Sequence, residues 1–92
     1  MKYDIQISTR FKKDYKLIKK RGYDTGLLKV VIEMLANGVS LPEKYKDHSL
    51  TGDYSGFREC HILPDWLLIY KIERNRLILG LTHTGSHSDL FE

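Results

Sequence analysis

The chain opens on alternation. Tyr3, Ile5 and Ile7 are separated by Asp4 and Gln6, the period of a half-buried strand. Ser8 or Thr9 then offers a side-chain oxygen to cap a helix. In that helix Phe11, Tyr15 and Ile18 fall at i, i+4 and i+7, with Leu17 beside them, and lysines take the other side. Gly22 ends it. Asp24 or Thr25 opens a second helix, whose Leu27, Leu28, Val30, Val31, Ile32, Met34 and Leu35 leave little polar face before Asn37-Gly38. Residues 39–56 read as irregular, punctuated by Pro42, Gly52, Ser55 and Gly56. Three strands follow: Phe57 to Leu63, Trp66 to Glu73 and Arg76 to His83, turned by Pro64-Asp65 and Arg74-Asn75 and ended by Thr84-Gly85-Ser86. A last helical turn is expected at His87–Phe91. The predicted class is α+β, in the order β-α-α-β-β-β, with an antiparallel sheet and both helices packed on it.

Length and composition bound this picture. The 92 residues predict one domain, 1–92, able to bury about 60–65% of its unfolded surface in a single modest core. With 41% hydrophobic and 29% charged residues the chain is ordinary globular material. Cys60 alone can form no intrachain disulfide and no cysteine-based zinc site. The longest apolar run, Leu67 to Tyr70, is far short of a membrane span, and no apolar signal core follows Met1-Lys2-Tyr3-Asp4. A reducing cytoplasm is the expected home, and no membrane partner is expected.

Charge divides the chain. Residues 1–46 hold 11 Lys+Arg against 5 Asp+Glu, and residues 47–92 hold 4 against 7. The basic excess is densest at Arg10, Lys12, Lys13, Lys16, Lys19, Lys20 and Arg21, which suits a polyanion, although a solvated helix face has the same composition. All four histidines lie in the second half. If the meander runs simply up and down, His61, Asp65, His83 and His87 come to one rim of the sheet; His48, in the irregular segment, has no periodicity to place it.

Such a set suggests two chemistries. His83 and His87 have the i, i+4 spacing of a zinc-binding pair. Gly85 and the turn between them oppose a helix there, and the glutamate of the metalloprotease motif is absent. Metal-free proton transfer fits better. RNA carries its own nucleophile, the 2′-hydroxyl, so cleavage needs a base for that proton, an acid for the departing 5′-oxygen, and positive charge for the phosphorane. An imidazole, ordinarily titrating near pH ~6.5, serves either proton transfer. Trp66 and Tyr70 share strand parity and read as core, and Cys60 as a small buried apolar residue. Phe91 must either dock back on the fold or stack on a base.

Four segments carry a resemblance: Tyr45 to Gly52, Gly56 to Ile62, Pro64 to Tyr70, and Thr84 to Phe91. Together, in order and spacing, they resemble the YafQ branch of the RelE/ParE toxins, and the basic helical half has the same layout. The resemblance implies a RelE-like, microbial-RNase-like α+β fold. It implies a type II toxin that cleaves mRNA in the ribosomal A site without metal or other cofactor. It further implies a cognate antitoxin, the toxin being monomeric alone and hetero-oligomeric with that partner. Carried over by position, the active-site residues would be His48, His61, Asp65, His87 and Phe91. His87 would be the general acid, Asp65 with His61 or His48 would handle the 2′-hydroxyl proton and the phosphate, and Phe91 would position a base. Lys12, Lys13, Lys16, Lys19, Lys20 and Arg21 would meet the 16S rRNA of the ribosome. One departure stands out: before Thr84-Gly85 the family usually carries arginine, and here stands His83. A histidine reaches less far and lacks the permanent charge and donor fork, so either cleavage is attenuated, by natural variation or by an inactivating change, or another cation substitutes; His83→Arg is expected to raise cleavage. The rival readings are a non-catalytic, gyrase-poisoning toxin like the ParE relatives, and a nucleic-acid-binding module acting through the basic helix.

Overall fold

The structure is a computed structural model, and it describes residues 1–91. Strand β1 (Asp4–Ile7) leads into helices α1 (Thr9–Lys20) and α2 (Thr25–Ala36). After them come β2 (His48–Ser49), β3 (Arg58–Leu63), β4 (Trp66–Glu73), β5 (Ile78–Gly85) and the short helix α3 (His87–Phe91). The five strands form one sheet in the order β1-β5-β4-β3-β2. The α+β order read from the sequence is found, as are the two long helices, the three C-terminal strands and the final helical turn.

Capping residues set the helix starts. The Ser8 side chain accepts from the Phe11 N–H, and Asp24 accepts from Gly26 N–H. Phe11 and Ile18 of α1, and Leu28, Val31, Leu35 and Ala36 of α2, pack on Cys60, Ile62, Trp66, Leu68, Tyr70, Leu79 and Leu81 of the sheet. The Trp66 indole N–H donates to Thr84 Oγ1, which donates to the Leu67 carbonyl, so these buried polar groups are paired inside the sheet. Burial pushes the Cys60 thiol up to about 12, with Asp47 and Glu59 adding to the shift, so it stays a protonated packing group.

The sheet departs from the expectation in three places. It is mixed, because β1 pairs parallel with β5, from Asp4↔Ile78 to Ile7↔Leu81. Two helices and three strands intervene between β1 and β5, ample for the crossover that parallel pairing needs. A fifth strand, β2, lies inside the segment read as irregular; two residues are too few to show periodicity. The strand expected from Arg76 begins at Ile78 and runs on to Gly85. Glu73 pairs with Ile78, and Leu77 takes a left-handed conformation (φ 52°) that ends the turn. No helix among the described residues is long and apolar enough to cross a membrane.

β1 ends at Ile7, level with Leu81, and leaves the last part of β5 as a bare edge. The first turns of α1 cover it. Ser8 Oγ donates to the Thr82 carbonyl at 2.8 Å, and the Thr84 N–H donates to Asp14 Oδ2 at 3.2 Å.

Candidate active site

Strand register decides which side chains share a face. His48 pairs with Glu59, Glu59 with Ile69, and Ile69 with His83. One step nearer the rim, His61 pairs with Leu67 and Leu67 with Gly85. Both rows point to the same side, away from the helix-packed core. Between the histidines of the two strand pairs lie Leu67 and Ile69, both buried. Adjacent strands lie about 4.8 Å apart, so roughly 10 Å separates the Glu59 and His83 backbones. The histidines therefore do not meet in one contact cluster. They line two walls, one on β2 and β3, the other on β5 and α3.

The first wall centres on Glu59, whose side chain is almost buried. His48 Nε2 lies 3.5 Å and His61 Nε2 3.8 Å from Glu59 Oε1, and the two rings are 6.4 Å apart. His48 Nδ1 is 2.7 Å from the Lys46 carbonyl, and His61 Nδ1 is 3.2 Å from that of Pro64. A carbonyl only accepts, so each ring carries a proton on Nδ1 there, and each turns Nε2 toward the carboxylate side.

His48 owes its place to Asp47. Asp47 accepts from the Arg58 guanidinium, at 3.0 Å for the closer nitrogen, and from the Tyr70 hydroxyl, while Arg58 also donates to Ser49 Oγ. Burial first, and then the hydrogen bond to Asp47, hold the Tyr70 phenol well above its ordinary range. Asp47 likewise raises Arg58.

The second wall is built from β5 and α3. Asp65 sits in the β3–β4 turn with Oδ1 3.5 Å from the His87 backbone N–H, so turn and helix share the rim. The His87 ring packs on Phe91 at 4.9 Å. The ring of Tyr54 lies edge-on between Phe91 (5.8 Å) and His83 (6.1 Å), and also touches Phe57. Phe91 thus docks back on the fold yet keeps 38% of its surface exposed. His83 lies farther in, with its Nδ1 3.4 Å from Asp14 Oδ2.

A reciprocal cap fixes α3. Ser86 N–H donates to Asp89 Oδ2 and Asp89 N–H to Ser86 Oγ, while Arg21, at the end of α1, donates to Asp89 at 2.8 Å. Gly85, with φ 154°, admits the Asp89 carboxylate, because a Cβ there would lie 3.0 Å from Asp89 Oδ2. The Ser86 backbone N–H foremost, helped by Arg21, holds the Asp89 carboxyl below its ordinary 3.8. The sign follows: the clasp is complete above the ordinary carboxylate range and is lost as pH falls through the depressed value. Asp89→Ala is expected to raise amide hydrogen exchange across residues 87–91 and cut cleavage several-fold, with little change in the exchange of β4. Unchanged exchange in α3 would refute the clasp.

Lys12, Lys13, Lys16, Lys19, Lys20 and Arg21 are all exposed on α1. Among the described residues no three His, Cys, Asp or Glu side chains gather into a group that could hold a metal ion. Three groups went unremarked in the sequence. Glu59 shares strand parity with His61, which was a usable signal. Asp14 falls on the buried stripe between Phe11 and Ile18, where a carboxylate needs a reason to be. Tyr54 lay in the segment without periodicity.

This arrangement has counterparts. Residues 3–92 match the model of a bacterial toxin of type II toxin–antitoxin systems, YafQ. The mRNA interferase toxin YafQ of Escherichia coli K12 is 43% identical over 89 residues, covering 96% of this chain and 95% of its own. The toxin of the E. coli DinJ–YafQ complex superposes with a TM-score of 0.89 at 42% identity, over 98% of this chain and 99% of its own. A metal-bound toxin from Helicobacter pylori gives 0.91 at 46% identity, over 97% and 99%. The chain belongs to the YafQ family of bacterial type II toxins.

Proposed function

We propose that this chain, as an mRNA interferase of that family, cuts mRNA in the ribosomal A site by general acid–base catalysis and is silenced by a cognate antitoxin. The observation that carries the reading is the placing of the titratable side chains. Imidazoles and carboxylates stand on two facing walls of one sheet face, with an exposed aromatic ring at its rim. In-line attack by the 2′-hydroxyl needs proton transfer on opposite sides of the phosphorus, and two walls answer that need. The nucleophile comes with the substrate, so the scheme calls on no metal or cofactor.

His87, exposed at the start of α3, is the acid for the 5′-oxygen. Asp65, with His61 or His48 on the opposite wall, handles the 2′-hydroxyl proton and the phosphate, and Phe91 stacks on a base. His83 takes the place of the family arginine. A chain of 92 residues has little surface to organise a free RNA, so the ribosome presents the substrate and the site of action is the cytoplasm. The E. coli relative is paired with DinJ in its solved complex, and an equivalent antitoxin is the partner proposed here.

The test is mRNA cleavage on programmed ribosomes, with ends mapped by primer extension. Cuts confined to the A-site codon support the reading. Growth arrest without cuts would move it to the non-catalytic toxins.

The basic helix makes a separate prediction. Replacing Lys12, Lys13 and Lys16 by glutamine is expected to weaken ribosome binding and flatten its salt dependence. The loss in log–log slope is roughly 0.7–0.9 for each phosphate contact removed. Filter binding over a salt series reads it; an unchanged slope would take α1 off the ribosome.

A further inference from the structure

Asp14 has no part in the reading above, yet it is a carboxylate nine-tenths buried in a helix otherwise studded with lysine. Its Oδ1 accepts from Arg10 Nε at 3.1 Å, and its Oδ2 accepts from the Thr84 backbone N–H at 3.2 Å. The same Oδ2 lies 3.4 Å from His83 Nδ1, which is sealed from solvent and makes no aligned hydrogen bond. A carboxylate offers only lone pairs. A bare Nδ1 facing it would set lone pair against lone pair, so the proton of His83 belongs on Nδ1, on the Asp14 side. The edge of Tyr54 on the ring limits its other rotations.

We infer that Asp14 is a positioning residue for His83: it holds Nδ1–H inward and leaves Nε2 as the nitrogen that meets the scissile phosphate. The inference rests on this sheet face being the nuclease site. It also accounts for the departure at position 83. An arginine brings a planar fork that satisfies a phosphate whichever way it lies. A histidine is shorter and has two inequivalent nitrogens, so it serves only when one of them is pinned. In that complex Nε2 takes up one proton from solvent, the phosphate oxygen accepts from Nε2–H, and the Asp14 carboxylate balances the doubly protonated ring. No bond to His83 changes during the cleavage itself.

Two measurements test this. Nitrogen-15 spectra of the histidine rings in the intact chain at neutral pH should show Nδ1 of His83 as the protonated nitrogen; a bare Nδ1 overturns the inference. The second is a rate cycle on programmed ribosomes. Asp14→Ala should lower kcat on the order of tenfold, as loss of a group orienting a histidine commonly does, and Asp14→Asn, which keeps an accepting oxygen, should recover part of it. In a His83→Gln background Asp14→Ala should cost nothing more. An equal loss in both backgrounds would mean that Asp14 acts only through Thr84 and the β5 edge, which sinks the inference. Absence of cleavage by the wild-type chain would instead sink the nuclease reading, and the spectra would still decide the pairing.

Discussion

Cleavage by a His87→Ala chain is expected to fall by about 10²–10⁴-fold, the usual worth of one positioned proton transfer. The side chain stands at the start of α3, exposed, and its ring packs on Phe91. The bonds that fix α3 come from Ser86, Asp89 and Arg21. Removing the imidazole therefore leaves the fold and its melting temperature in place, and the loss is chemical. The leaving 5′-oxygen would depart as an alkoxide without a donor. A substrate with sulfur at the bridging 5′ position leaves readily as a thiolate, so it should be cut by the wild type and by His87→Ala at similar rates. A His87→Ala chain as impaired on the sulfur substrate as on the oxygen one would take the acid role from His87. A variant that still cuts natural mRNA at the full rate would remove His87 from the chemistry.

Legibility in the sequence followed the range of the physics. The stripe Phe11-Tyr15-Ile18 and the alternation of β3 and β4 are local periodicities, and so are the caps at Ser8 and Asp24. Each is written in adjacent residues. The parity that put His61 on the open face also put Glu59 there, yet a buried carboxylate between two imidazoles shows only once β2 pairs with β3. The expected rim was right in placing Asp65 beside α3. It took the four groups for one cluster because it counted strand directions and left out register. Ile69 and Leu67 stand between the walls, and only pairing across three strands reveals them. The Asp14–His83 contact joins residues 69 positions apart through the end of β1, and no local pattern encodes it. The family was legible through resemblance, which reads long-range outcomes already fixed in relatives.

Asp47→Ala should give the larger stability effect, about 2 kcal/mol, and should disturb the site at the same time. Asp47 ties an edge strand only two residues long to the body of the sheet, through Arg58 and the Tyr70 hydroxyl. The Tyr70 side chain is buried, so losing its acceptor strands a polar group in the core, at a cost of about 1–3 kcal/mol. Arg58 is partly in water, and its share is discounted accordingly. In a domain of this size about 2 kcal/mol lowers the melting temperature by roughly 8–16 °C. Because His48 is the next residue, cleavage should fall along with stability, at temperatures where the variant is still folded. The Tyr70 phenol is raised above its ordinary 10.0. Its contribution is accordingly complete below that pH and is lost as pH climbs through the raised value, where a phenolate would face the Asp47 carboxylate. The alkaline limb of the wild-type stability curve should therefore become shallower in Asp47→Ala, keeping the part that burial, the larger cause, contributes. Adding Tyr70→Phe removes the stranded hydroxyl and should restore part of the loss. A double variant no more stable than Asp47→Ala would show that the hydroxyl was never the cost, and an unchanged melting temperature in the single variant would show that β2 is held by its backbone pairing alone.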